Sequence, residues 1–302
     1  MLLIANGVDN RIHRWDPENA VSLGSFSVQA PMTDIAVNQS ANEVYALVRS
    51  GSTSGVLRYN YNTGNYIGTT ILSGSYGTAR KIQYTRAGEL LVSYDRDVVR
   101  FDPSTGFQVG SALYYGDRRF IPSGGATLLN NGLYAIASDS DGTFWSSDFL
   151  LNFNPSNVLV SSVGMGPQAE TSLKDIVGNS SGSAAIASYT VNSTHYFSRY
   201  YTTPSGVAAA NVSVELTGST VALSGAEWGH GERAYGMYYS NGALYCLPME
   251  MSLGLAGTAQ TLPGFQYSTN YYRGSAIVVA PEPSSMLAVF AGLGLLIRRR
   301  KA

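Results

Sequence analysis

Three histidines, His13, His195 and His230, are the only imidazoles in this 302-residue chain, and each could act as an acid, a base or a metal ligand. His13 stands beside Trp15 in a strand-like run and reads as a packed or solvent-facing strand residue. His195, in "NSTHYF", has no partner within reach by sequence. His230 belongs to the densest cluster, "EWGHGER", where Glu227, His230 and Glu232 fall within six positions. Such groups bind metals or exchange protons, but their spacing matches no helical ligand motif, and Gly229 and Gly231 read as a flexible loop. The stretch "SDSDGTFWSSD" places Asp139, Asp141, Gly142 and Asp148 at the third, fifth, sixth and twelfth places of a calcium-loop pattern. Its first ligand place is Ala137, which offers no side-chain oxygen, and the stretch fills a hairpin slot, so it reads as an Asp-Gly turn. There is no G-x-S-x-G elbow, nucleophile–His pairing, P-loop or strand-linked G-x-G-x-x-G, and no pair of carboxylates stands out. The expectation is a chain with no catalytic residue, no metal site and no cofactor.

Two weaker signals remain. Cys246, in "GALYCLPM", is the single cysteine, so no intrachain disulfide forms, and it reads as a small buried apolar residue on a strand. Four tyrosine pairs occur, Tyr114-Tyr115, Tyr200-Tyr201, Tyr238-Tyr239 and Tyr271-Tyr272. Exposed tyrosines stack on sugar rings while their hydroxyls hydrogen-bond. Neighbours in a strand point to opposite faces, however, so one of each pair is expected to pack inside.

These groups need elements to position them, and the composition favours strands. Only 13% of residues are charged, while Gly (33) and Tyr (21) are plentiful, which suits short strands and tight turns rather than helical bundles. The formal net charge is −1 and no Lys/Arg cluster precedes Arg298, so the electrostatic footprint of a nucleic-acid binder is missing.

A repeat runs through the body. "IHRWDPENAVSLGSF", "LRYNYNTGNYIGTTI" and "VRFDPSTGFQVGSAL" superimpose by eye, with aromatics Trp15, Tyr59 and Phe101 spaced 44 and 42 residues apart. Each is followed nine positions later by a glycine, Gly24, Gly68 and Gly110. Asp16-Pro17, Asn60 and Asp102-Pro103 open a bend, and Gly64 and Gly106 supply a place where φ turns positive. Weaker copies follow around Phe153, Tyr200 and Tyr245. A unit of roughly 40 to 50 residues with about four strands cannot cover its own faces and must stack in a ring. The units resemble the loose NHL, WD and quinoprotein-like repeats, which implies a β-propeller. The first copy lacks its innermost strand and the segment from Gly264 holds spare strands, so the two chain ends are expected to complete one sheet. The expected fold is thus all-β, a six-bladed propeller over residues 1–279, with seven blades if sequence is missing upstream, and a β-sandwich or two small β-domains, as alternatives.

The chain ends in "APEPSSMLAVFAGLGLLIRRRKA". Residues 286–297 are apolar or Gly without a break, and as a helix they would reach roughly 18 to 20 Å, short of the ~30 Å hydrocarbon core. The apolar side chains are those of Met286, Leu287, Val289, Phe290, Leu293, Leu295, Leu296 and Ile297. Arg298, Arg299, Arg300 and Lys301 would stay on the cytoplasmic side and leave the body on the other. Pro281 and Pro283 exclude regular helix around Glu282.

Pro281-Glu282-Pro283, a short apolar helix and an arginine cluster at the chain end closely resemble the PEP-CTERM sorting signal. The resemblance covers about the last two dozen residues. It implies export, a transient anchor in the inner membrane, cleavage by an exosortase-type enzyme near Pro281-Glu282-Pro283, and a final place at the cell surface or in an exopolysaccharide matrix. "MLLIANGVDNRIHRW" has no basic, signal-like start, so the true start is expected upstream of Met1. The reading is an exported binding or structural protein, with an extracellular polysaccharide lyase or hydrolase as the alternative.

Overall fold

The computed structural model describes residues 1–6, 8–50, 53–74, 76–114, 122, 124–138, 149–164, 171–207, 212–218, 222–228, 233–263, 265 and 275–279. Six antiparallel sheets form a ring. Blade 1 contains β1 (Leu2–Asn6), β2 (Arg11–Asp16) and β3 (Val21–Ser27). Blade 2 is β4 (Met32–Asn38), β5 (Glu43–Ser50), β6 (Thr53–Asn60) and β7 (Tyr66–Ile71). Blade 3 is β8 (Lys81–Tyr84), β9 (Leu90–Ser93), β10 (Asp97–Phe101) and β11 (Leu113–Tyr114). Blade 4 is β12 (Ala126–Leu128), β13 (Tyr134–Ser138), β14 (Phe149–Phe153) and β15 (Leu159–Gly164). Blade 5 runs β16 (Thr171–Gly178), β17 (Ala184–Val191), β18 (Thr194–Thr203), with β19 (Gly206–Val207) and β20 (Val212–Thr217) both on β18. Blade 6 runs β21 (Ala222–Trp228), β22 (Arg233–Ser240), β23 (Ala243–Glu250), with β24 (Leu255–Ala256) and β25 (Gln260–Leu262) both on β23. The last strand, β26 (Ser275–Val279), pairs with β1 from Leu2↔Val279 to Asn6↔Ser275 and becomes the innermost strand of blade 1.

The chain is therefore an all-β, six-bladed propeller closed by its two ends. The seven-bladed and sandwich alternatives fall. The C-terminal helix expected in residues 280–302 lies outside the described residues, as do Pro281, Glu282, Pro283 and the basic residues Arg298 to Lys301. Among the described residues no helix is long and apolar enough to cross a membrane.

The repeat has a physical origin in packing, because the buried apolar residues divide into six clusters and each cluster joins two neighbouring blades. Leu3, Ile12 and Phe26 of blade 1 meet Ile35, Val44 and Tyr59 of blade 2. Leu2, Ile4 and Trp15 meet Met237, Leu244 and Cys246 of blade 6 on the other side. No blade covers either of its faces alone.

The aromatic signal marks one register position. Trp15, Tyr59, Phe101, Phe153 and Tyr200 sit opposite Leu2, Val44, Leu90, Tyr134 and Ala185, and all five are buried. In blade 6 that place belongs to Met249, opposite Ala234, and Tyr245 lies four residues earlier on the same strand. The next residue builds the bend. Asp16, Asn60, Asp102 and Asn154 each accept backbone N–H bonds on Oδ1, from Glu18 and Asn19, Asn62 and Thr63, Ser104 and Thr105, and Ser156 and Val158 respectively. A side-chain oxygen that mimics a backbone carbonyl is why Asp or Asn stands there in blades 1 to 4, whereas Tyr201 and Glu250 follow in blades 5 and 6. The arginine before the aromatic ties neighbouring blades together: Arg14 Nε of blade 1 donates to Tyr61 O of blade 2 at 2.7 Å, and Arg100 Nη2 of blade 3 donates to Pro155 O, the equivalent carbonyl of blade 4, at 3.2 Å.

Gly64 and Gly106 both have positive φ, +78° and +72°. A Cβ on Gly106 would lie 2.1 Å from the carbonyl oxygen of Ile71. Gly106→Ala therefore combines left-handed strain with a clash against fixed backbone and is expected to cost about 2 kcal/mol or more. Urea unfolding checks this, and a loss below about 0.5 kcal/mol would mean that the turn relaxes freely.

Candidate functional site in the central channel

The innermost strands wall a channel, and a cavity of ≈ 470 Å³ lies in it. The residues placing charge there share a register. Ile35, Ile82, Ala126, Ile176 and Ala226 face Ala46, Val92, Ile136, Ala187 and Gly236 of the second strands. The residues just before them form one ring of positions: Asp34, Lys81, Gly125, Asp175 and Gly225. The residue after Ala226 in blade 6 is Glu227, and all four charged side chains line the cavity.

Asp34 is buried, and its Oδ2 accepts the N–H of Ile82 in the next blade at 2.8 Å. Asp175 repeats the device three blades later, accepting the N–H of Ala226 at 3.4 Å. Thr127 makes a related bond, its Oγ1 accepting the N–H of Gly178 at 3.0 Å. Gly225 leaves room for the Asp175 carboxylate, since a Cβ there would lie 2.9 Å from Asp175 Oδ2. Lys81 reaches across the ring, with Nζ 3.7 Å from Asp175 Oδ1. The carboxylates thus pin adjacent blades, and the ammonium balances part of their charge.

Burial pushes Asp34 up to about 6, with the negative charge of Asp175 adding to it and Lys81 and the Ile82 N–H opposing. Asp175 is raised for the same leading reason, held back by Lys81 and by the Ala226 N–H. Burial by itself would lower Lys81, but the charges of Asp175 and Asp34 outweigh it and the ammonium is held above its ordinary value. Glu227 is pushed well above the carboxylate range. Burial leads, the charges of Asp175 and Asp34 add, and the N–H of Trp228 on Oε1, at 3.0 Å, opposes. Glu227 is a proton-bearing donor at a pH where an ordinary glutamate has ionised. A donor, a carboxyl that titrates near 6 and a Lys–Asp pair are enough to orient a hydroxylated ligand or to exchange a proton with one.

Glu227→Gln tests the assignment. A folded pKa above the unfolded one means that stability is fully present below about 4.5 and lost as pH rises through the folded value. The substitution is therefore expected to raise the melting midpoint at pH 8 and to change it little at pH 4.5; an equal shift at both would show that charge is not the cause.

The residues singled out by sequence are dispersed. Glu227 lines the channel, whereas His230 and Glu232 lie outside the described residues, as do Asp139, Asp141, Gly142 and Asp148. Ala137 is fully buried in β13. His13 is half-buried, packs at a tilt against Phe265 with 4.4 Å between centroids, and contacts Asp9 at 2.9 Å. His195 has a partner after all: Thr190 sits opposite it across the β17–β18 hairpin, with Oγ1 2.8 Å from Nδ1, and burial lowers the imidazole. Cys246 is fully buried, with its thiol pushed up to about 12. Tyr200 and Tyr239 are buried, while Tyr201 is exposed and Tyr238 stacks on Tyr245. Among the described residues no three His, Cys, Asp or Glu side chains converge as a metal-ligand set.

No protein-family model matches the chain, and no curated protein matches it in sequence. Solved structures do match. A chain of the nidogen/laminin complex aligns with a TM-score of 0.60 at 12% identity, over 93% of this chain and 98% of the other. The Cps50 (Swd1) β-propeller domain of Myceliophteria thermophila gives 0.57 at 10%, over 86% and 82%. Kuenenia stuttgartiensis hydrazine synthase gives 0.57 at 12%, over 83% and 73%. The likeness is one of fold alone. These proteins differ in function, and a propeller scaffold carries no single activity.

Proposed function

We propose that this is an exported protein of the cell surface or extracellular matrix, delivered by its C-terminal segment and acting by binding rather than by catalysis. The observation that carries the reading is the order of the tail: Pro281-Glu282-Pro283, then the apolar residues from Met286 to Ile297 as a short membrane-anchoring helix, then Arg298, Arg299, Arg300 and Lys301. Residues 280–302 act as the sorting signal and 1–279 as the functional body. An exosortase-type enzyme and, transiently, the inner membrane are the partners of the tail. An exopolysaccharide is the candidate partner of the body, and no nucleic acid is.

The fold supports this division. The closing strand ends at Val279, so a cut at Pro281-Glu282-Pro283 removes none of the β1–β26 pairing. Loss of the tail strips four positive charges and leaves an acidic body, which favours solubility among anionic polysaccharides over tight ionic attachment to them. Fractionation of cells with and without the processing enzyme, with the mass of the mature C-terminus measured, tests the sorting. An intact chain free in the cytoplasm with its arginines attached would sink it.

One observation favours a second reading, a polysaccharide lyase or hydrolase: Asp34, Asp175 and Glu227 share one cavity, and all three are raised above the ordinary carboxylate range. Stable retention on matrix polysaccharide without turnover supports the binder. Turnover without retention, lost in Glu227→Gln, supports the enzyme.

A further inference from the structure

The end of β26 fixes which way the ring faces its own anchor. Val279 pairs with Leu2, and Val37 pairs with Val44; Leu2 and Val44 in turn face Trp15 and Tyr59, the shared register position of the third strands. Val279 is therefore the counterpart of Val37, one residue before Asn38, where blade 2 leaves the channel wall. The cavity opens among those same departures: Asn38, Ser40, Arg86, Asn179 and Ser180 line it. In blade 1 the chain that departs at this place is the tail.

The connection is short. Six residues, 280–285, separate Val279 from the apolar run, and the seven steps to Met286 span at most roughly 25 Å when fully extended. Headgroups on each side of the hydrocarbon take up about 5 to 7 Å of that reach. The named rim side chains are uncharged apart from Arg86, whose guanidinium is already engaged by the carbonyls of Leu129 and Ser181. Among the described residues these side chains offer neither an apolar wedge nor a free basic patch to grip lipid, which leaves the tether as the feature that orients the ring.

We propose that the anchored protein holds its channel mouth toward the membrane, so that the face carrying Asp34, Lys81, Asp175 and Glu227 is screened from bulky partners until the tail is released. The inference rests on the sorting reading above and adds to it a consequence for the body: anchoring and access to the channel exclude one another. A polymer reaches this mouth only on the freed ring.

Two serines at opposite ends of blade 5 test it. Ser180 is exposed in the turn after β16, at the cavity mouth, and Ser193 is exposed in the β17–β18 hairpin at the far end of the same blade. Full-length Ser180→Cys and Ser193→Cys proteins are placed in vesicles of phosphatidylethanolamine and phosphatidylglycerol, floated, and labelled with a small maleimide and with a large polyethylene-glycol maleimide. Cys246 is fully buried and stays silent. The small reagent sets the intrinsic reactivity of each site. Relative to it, the large reagent is expected to label Ser180→Cys roughly tenfold more slowly than Ser193→Cys, given the short tether. Equal relative rates on floated protein would overturn the orientation while leaving the anchor intact. Protein that does not float with the vesicles would overturn the anchor itself, and the orientation with it.

Discussion

A chain ended at Gly274 is expected to unfold far below one ended at Val279, although the two differ by five residues. Those five are β26, and their loss leaves blade 1 with three strands and bares β1 along its inner edge. Leu2, Leu3 and Ile4 are fully buried, so the deletion uncovers both a row of unpaired backbone groups and an apolar strip, a combination that invites edge-to-edge aggregation. β26 also packs against β4 and β21, the inner strands on either side, so its removal opens the ring as well as thinning one sheet. A cost of about 5 kcal/mol or more is expected, in the range reserved for the loss of a buried element. For a chain of this size that lowers the melting midpoint by about 10 to 20 °C. The chain ended at Val279 keeps every pair between β1 and β26 and should melt with the full-length protein. Calorimetry on the two truncations decides the matter, and midpoints within about 3 °C of each other would mean that the ring does not depend on this closure.

The architecture was legible because its repeat is written in local chemistry. An Asx turn needs a carboxylate or amide at one place, and a buried aromatic beside it needs a fixed register, so Trp15-Asp16, Tyr59-Asn60, Phe101-Asp102 and Phe153-Asn154 announce themselves in a linear reading. In blade 6 the reading landed on Tyr245, four residues early, because Met249 fills the shared slot without being aromatic. Closure was legible for a related reason, since spare strands at both ends have one way to lose their edges.

The channel was not legible as a site. Asp34, Lys81, Asp175 and Glu227 come from four blades, and no local spacing expresses a convergence that only the closed ring creates. One signal could have exposed half of it. "TDIAVN" and "KDIVGN" both set an aspartate before an isoleucine and four residues ahead of an asparagine, in the first strand of blades 2 and 5, and Lys81-Ile82 occupies the same slot in blade 3. A charged residue recurring inside an otherwise apolar strand marks a paired, buried group rather than a solvated one. Glu227 carries no such pattern, because in blade 6 the shared place is held by Gly225 and the acid comes two residues later.

Lys81→Met is expected to be the most pH-sensitive substitution in the protein. Lys81 is the cation that opposes the raised pKa values of both Asp34 and Asp175, and methionine keeps much of its length while removing the charge. Breaking a fully buried pair costs about 3 to 5 kcal/mol; because Lys81 and Asp175 retain 19% and 20% of their side-chain surface, about 2 to 3 kcal/mol is expected at pH 8. The sign of the pH dependence follows from which form each group prefers. Asp34 already takes up its proton near pH 6 in the native ring, above the ordinary aspartate value, so its contribution to stability is full below about 4 and falls as pH rises through about 6. Without Lys81 the two carboxyls move higher still, so the loss seen at pH 8 shrinks as acid neutralises them and is small near pH 4.5. Lys81→Met combined with Asp34→Asn should recover much of the stability at pH 8, since it removes one of the negative charges that the ammonium had balanced. Urea unfolding at the two pH values reads the difference directly. A loss of the same size at both, unrelieved by Asp34→Asn, would mean that Lys81 supports the ring through the packing of its methylenes, and the channel would then owe its charge state to burial alone.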